Sequence, residues 1–157
     1  MDKILIDIIL ATVAEKYDDA ADFYKVQLGL DDHTWQLFKD GVIPLPQEVM
    51  PKVLHLFSDY EWMLIQKVIR NASIHPESRE TAPGDYRRAK IEIANVWLKA
   101  NIAELDIAEH EPHAAFINAR VLTSYGDLIT FRIPASVSNT INGDQHKLLE
   151  WANKNLV

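Results

Sequence analysis

The chain has 157 residues, 48% hydrophobic and 25% charged, enough for one ordinary domain or two small ones whose cores need no staples. It contains no cysteine, which excludes disulfides, thiolate metal sites and cysteine nucleophiles. The net charge of −7 excludes bulk attraction to nucleic acid, so any such contact has to come from a local patch.

In chain order, the run ILIDIIL at 4–10 is interrupted by Asp7 and is too short to span a bilayer, and it is not read as a signal peptide. A cytoplasmic protein without membrane contact is expected. Residues 3–17 place Ile4, Ile8, Leu10 or Ala11, and Ala14 at helical spacing, which predicts the first helix. Asp18 and Asp19 are a plausible cap for a second helix, AADFYKVQL, stopping at Gly29. Asp31 caps a third, DHTWQLFKD, stopping at Gly41. VIPLP reads as a loop. QEVMPKVLHLF is a fourth helix with Pro51 near its first turn, and Ser58 caps a fifth over 59–73, with Trp62, Ile65 or Gln66, and Ile69 on one face. Residues 75–86 are rich in Pro, Gly and Ser/Thr and predict a boundary between domains 1–74 and 86–157. Residues 1–75 carry seven Lys/Arg against twelve Asp/Glu, net −5, and residues 76–157 nine against eleven, net −2.

After the boundary a long helix is expected at about 86–109, with Ala94, Trp97, Ile102, Leu105 and Ala108 on one face. The period then changes to two: AFINARVLTS and DLITFRIP read as strands joined by a hairpin turn at SYGD. A short helix, GDQHKLLEWANKNL, capped near Asp144, closes the chain. The expected fold class is α+β: a five-helix N-terminal domain followed by a small helix–β-hairpin–helix domain. An isolated hairpin is marginal in water, so the flanking helices or a second copy must cover it.

The segment 18–41 resembles the helix-turn-helix of the lambda-repressor-like (Cro and phage repressor type) DNA-binding family. The resemblance rests on Leu28-Gly29-Leu30, Asp31 as helix cap, Thr34-Trp35, Phe38 at a usual aromatic position and Gly41 closing the helix. It implies a five-helix domain over roughly residues 1–72 and transcriptional regulation in a bacterial or phage setting by a two-fold homodimer on double-stranded DNA. It further implies that His33, Thr34, Gln36 and Lys39 face the major groove, with Lys25 and Gln27 reaching the backbone. Gln36 could read adenine, and His33 could donate to guanine or a phosphate. The chain departs from the family in three places. Tyr24 or Lys25 stands where a small residue is usual, the spacing from Phe23 to Gly29 is one residue long, and Asp32 adds a charge that phosphates repel.

The alternative is a non-catalytic protein-interaction module that keeps this shape and binds a partner through an acidic face made of Asp18, Asp19, Asp22, Asp31 and Asp32. Arg79, Arg87, Arg88 and Lys90 form the one basic cluster, suited to a backbone contact, an acidic partner or a solvated helix start. His110-Glu111-Pro112-His113 brings two histidines close, but Pro112 breaks the helix between them, so no metal site is assigned. Glu104 and Asp106 are expected on different sides of a helix, and there is no GxSxG and no phosphate-cradling glycine loop. Neither an enzyme nor a cofactor is therefore expected. Trp35, Trp62, Trp97 and Trp151 are read as core or interface mass.

Overall fold

The computed structural model describes residues 2–107, 116–136, 147, 150, 151 and 154. The chain mixes helix and strand, with a three-stranded antiparallel sheet following the helices. Contacts divide it into two compact units, residues 1–57 with 65–86, and residues 58–64 with 87–157.

The first unit begins with α1 (Lys3–Lys16), capped by the Asp2 side chain on the Ile4 amide. Its buried residues are Ile4, Ile6, Ile8, Ile9, Thr12 and Val13, while Ala14, expected inside, is exposed. The second helix departs from the α form. Asp22–Gln27 is a π-helix, and the Leu28 amide donates to the Phe23 carbonyl at 3.0 Å, five residues back. A π turn accommodates one residue more than an α turn, which is the excess already visible between Phe23 and Gly29. Gly29 ends the segment at φ 69°, a left-handed conformation that costs glycine little.

Helix α2 (Asp32–Lys39) starts at the Asp31 cap and closes at Gly41, φ 73°. Gly41 donates to Phe38 O and Val42 to Leu37 O, the paired bonds of a Schellman end. The loop that follows is held down by Leu45, which is buried. Helix α3 is shorter than its sequence suggests, Met50–Leu54, with Pro51 in the first turn.

Helix α4 (Asp59–Ile74) starts with a capping box. The Ser58 hydroxyl accepts from the Glu61 amide and Glu61 Oε1 accepts from the Ser58 amide, which satisfies two orphan donors at once. Its inner face carries Glu61, Leu64, Ile65 and Ala72, whereas Trp62 and Ile69 are half-buried. The segment predicted as a domain boundary holds a 3₁₀ turn at Pro76–Ser78 and then α5 (Ala82–Lys99), which starts earlier than periodicity suggests.

Helix α5 also ends ten residues earlier than expected. Asn101 sits at φ 58°, its amide bonds Leu98 O and the Ile102 amide bonds Trp97 O, a second Schellman end with asparagine in place of glycine. Residues 103–107, expected as helix, are instead strand β1 (Ala103–Ile107). It pairs antiparallel with β2 (Phe116–Thr123), which pairs antiparallel with β3 (Leu128–Pro134), giving the order β1-β2-β3. The hairpin at 124–127 stands where it was expected. Burial in β2 and β3 alternates strictly, and Ile117, Ala119, Val121, Ile129, Phe131 and Ile133 face a core completed by Ile91, Ala94, Trp97 and Leu98 of α5. Lys147, Glu150, Trp151 and Lys154 are helical, within the last helix the sequence predicts.

The His110–His113 cluster and the Asp144 cap lie outside the described residues. No helix among the described residues is long and apolar enough to cross a membrane.

Candidate nucleic-acid interface

The site that the sequence singles out is built on an aromatic ladder. Tyr17 packs on Phe23 with ring centroids 5.4 Å apart, Phe23 meets Trp35 edge-on at 6.1 Å, and Trp35 meets Phe38 at 5.3 Å. Tyr24 stacks on Trp35 at 5.0 Å and 14°. Trp35 and Phe38 are buried, so both belong to the core and neither is a base-stacking platform. These contacts fix α2 against the π-helix. The Tyr24 ring lies flat on the indole.

The opposite face of α2 is open. His33, Gln36 and Lys39 are exposed and Thr34 is half-buried. Lys25 and Gln27 are exposed on the π-helix. All six candidate residues thus reach the surface of the first unit, but several are already engaged. Lys25 Nζ lies 2.9 Å from Asp32 Oδ1, and the Tyr24 hydroxyl donates to the same oxygen at 2.6 Å. Gln36 Nε2 donates to Asp40 Oδ1 at 3.0 Å. The Gln27 carbonyl accepts from Lys52 Nζ at 3.1 Å.

The electrostatics follow from these bonds. The Tyr24 hydroxyl, and then Lys25, hold the Asp32 carboxyl below the usual carboxylate range. Bonding to Asp32 raises both Lys25 and Tyr24. Asp31 is also lowered, chiefly by the Thr34 backbone N–H, which it accepts at 2.7 Å. That bond uses a donor which a helix N-terminus would otherwise offer to a phosphate. A small cleft of about 220 Å³ between Tyr17, Phe23, Gln27, Lys52, His55 and Leu56 flanks the π-helix.

Of the basic cluster, Arg79 and Arg88 are exposed and Arg87 is half-buried, but Lys90 is not on the surface. Lys90 is 4% exposed, and its ammonium lies 3.0 Å from Glu61 Oε2 and 5.3 Å from the centre of the Phe131 ring. Glu61, 1% exposed, also accepts from the Thr130 amide and hydroxyl. Sequence reasoning missed this pair because an acid at the cap of one helix and a lysine in a basic run of another each read as solvated. The one available signal was the capping-box spacing from Ser58 to Glu61. Glu104 and Asp106, expected on different sides of a helix, lie on one exposed face of β1. Among the described residues no three His, Asp or Glu side chains group as a metal site.

Compared with known proteins, the chain matches no family model, no curated protein and no solved structure.

Proposed function

We propose that the chain is a DNA-binding transcriptional regulator of bacterial or phage type, with the first unit as a helix-turn-helix reading head. The observation that carries this reading is α2 itself: a capped helix anchored by Trp35 and Phe38, with His33, Gln36 and Lys39 on its open face. Side chains of these types hydrogen-bond base edges and phosphates in the major groove. The Lys25–Asp32 pair supports the reading in one respect, since it offsets the charge that phosphates would repel. Such exposed pairs are weak, so a phosphate competes for Lys25 at small cost. In this reading Lys25 and Gln27 approach the backbone, and two copies of the chain bind one operator.

A second reading is favoured by the same geometry seen from the acids. With Lys25 and Gln36 engaged by Asp32 and Asp40, the face carries little surplus positive charge. A module of this shape then serves a basic protein partner.

Fluorescence anisotropy against duplex DNA at low and moderate salt separates the two. The DNA reading expects salt-sensitive binding that Gln36→Ala with Lys39→Ala abolishes. Asp32→Asn removes the competitor for Lys25 together with a charge that phosphates repel, and is expected to tighten binding about three- to tenfold. Absence of binding by Asp32→Asn even at low salt would leave the protein-partner reading.

A further inference from the structure

The second unit carries its own feature, independent of the DNA reading. The free edge of β3 is occupied near its start: the Ser58 hydroxyl donates to Leu128 O and Glu61 Oε2 accepts from the Thr130 amide. The hairpin's other edge is taken by β1, which among the described residues pairs with β2 alone. Among the described residues the available edge is therefore β1. An open groove of about 1250 Å³ borders it, lined by Ile102 to Asp106, by Leu122 to Asp127, and by Trp97 and Asn101. Its apolar content is exposed: Ile102 is 53%, Leu122 44% and Tyr125 94% accessible. Its charged lining is three carboxylates, Glu104, Asp106 and Asp127, with no Lys or Arg among the lining residues.

A second copy is disfavoured at this edge. In any antiparallel register of β1 with itself that keeps the buried face aligned, Glu104 meets Asp106, or Glu104 meets Glu104, or Asp106 meets Asp106. Like charges directly opposite in a ladder are unfavourable. The sheet shows what suits the acids. On the β2 side, Asp106 stands opposite Arg120 and pairs with it. Glu104 stands opposite Leu122 and makes no ion pair among the described residues. On the other face of the strand, Leu105 and Ile107 are half-buried against the core.

We infer that β1 is a docking edge for an extended basic segment of another protein, added as a fourth strand, with Lys or Arg at alternate positions facing Glu104 and Asp106 and apolar residues between them beside Leu105 and Ile107. Main-chain bonds along β1 supply the adhesion, and the alternating side chains select the partner.

The test uses the full chain and three labelled synthetic peptides, alternating Lys-Val, Ser-Val and Glu-Val. Anisotropy is expected to show binding of the Lys-Val peptide, weaker binding of Ser-Val and none of Glu-Val. Hydrogen exchange at β1 amides is expected to slow when the Lys-Val peptide binds. Glu104→Lys, at an exposed position and with an unchanged melting temperature, is expected to weaken binding about fivefold. Asp22→Lys makes the same charge change in the first unit and is expected to have no effect. Equal weakening by both variants would reduce the interaction to bulk charge and overturn the proposal. So would equal binding of all three peptides, or no binding at all. Self-association that Glu104→Lys abolishes would assign the edge to a second copy instead.

Discussion

Glu61 and Lys90 are buried against each other in the second unit, 3.0 Å apart. Both charges are out of water, and each is compensated by the other, with Thr130, the Ser58 amide and the Phe131 ring around them. A buried ion pair gains little net stability over a well-packed apolar pair, but removing one partner leaves the other uncompensated. Glu61→Gln is the informative change, because glutamine preserves the capping box while it removes the charge and sets an amide donor where Oε2 accepted from Lys90 and Thr130. It is expected to cost about 3–5 kcal/mol in urea unfolding. Adding Lys90→Met to Glu61→Gln is expected to recover more than half of that loss, since no unpaired charge then remains. An additive double mutant would show that the two side chains do not interact.

At the level of elements, one residue separates the expected long helix from the observed helix and strand. Ala103-Glu104-Leu105 are good helix formers, and Ile102 and Leu105 continue the apolar phase of α5. Asn101 overrides them by taking a left-handed conformation and closing α5 with Schellman bonds. The left-handed form costs a non-glycine residue about 1–2 kcal/mol, least for asparagine. Asn101→Gly is therefore expected to leave the urea midpoint unchanged or slightly higher. Asn101→Val, branched at Cβ, is expected to lower stability by about 1–2 kcal/mol. The same contrast explains what could be read in advance. The hairpin was legible because eight- and seven-residue strands alternate strictly around a polar turn. The five residues of β1 are too few to show a period against a helix-forming composition. For α2, the Asp31 cap, the apolar face and the Gly41 stop were local and legible. The Gln36–Asp40 bond has the i,i+4 spacing that a helix brings together, but the Lys25–Asp32 contact depends on how the chain folds across a turn, and no spacing announces it. The extra residue before Gly29 was visible as a count, but only hydrogen bonding shows that it becomes a π turn.

For the whole molecule, the polar break at 75–86 and the pattern of contacts mark different divisions. Composition places the change at the Pro- and Gly-bearing segment. Contacts assign residues 58–64 to the same unit as 87–157, so the start of α4 belongs with the sheet. The reason is again chemical: Glu61 neutralises Lys90, and Ser58 and Glu61 occupy the β3 edge at Leu128 and Thr130. A fragment beginning at residue 86 loses all of this. It keeps Lys90 facing Phe131 but loses Glu61, and it exposes strand backbone that Ser58 and Glu61 had bonded. We expect fragment 86–157 to show no cooperative urea transition by circular dichroism, and fragment 58–157 to show one. Lys90→Met in the shorter fragment is expected to restore part of the transition, because it removes the uncompensated charge while leaving the β3 edge open. Cooperative unfolding of fragment 86–157 at the midpoint of fragment 58–157 would show that α4 contributes nothing to the second unit.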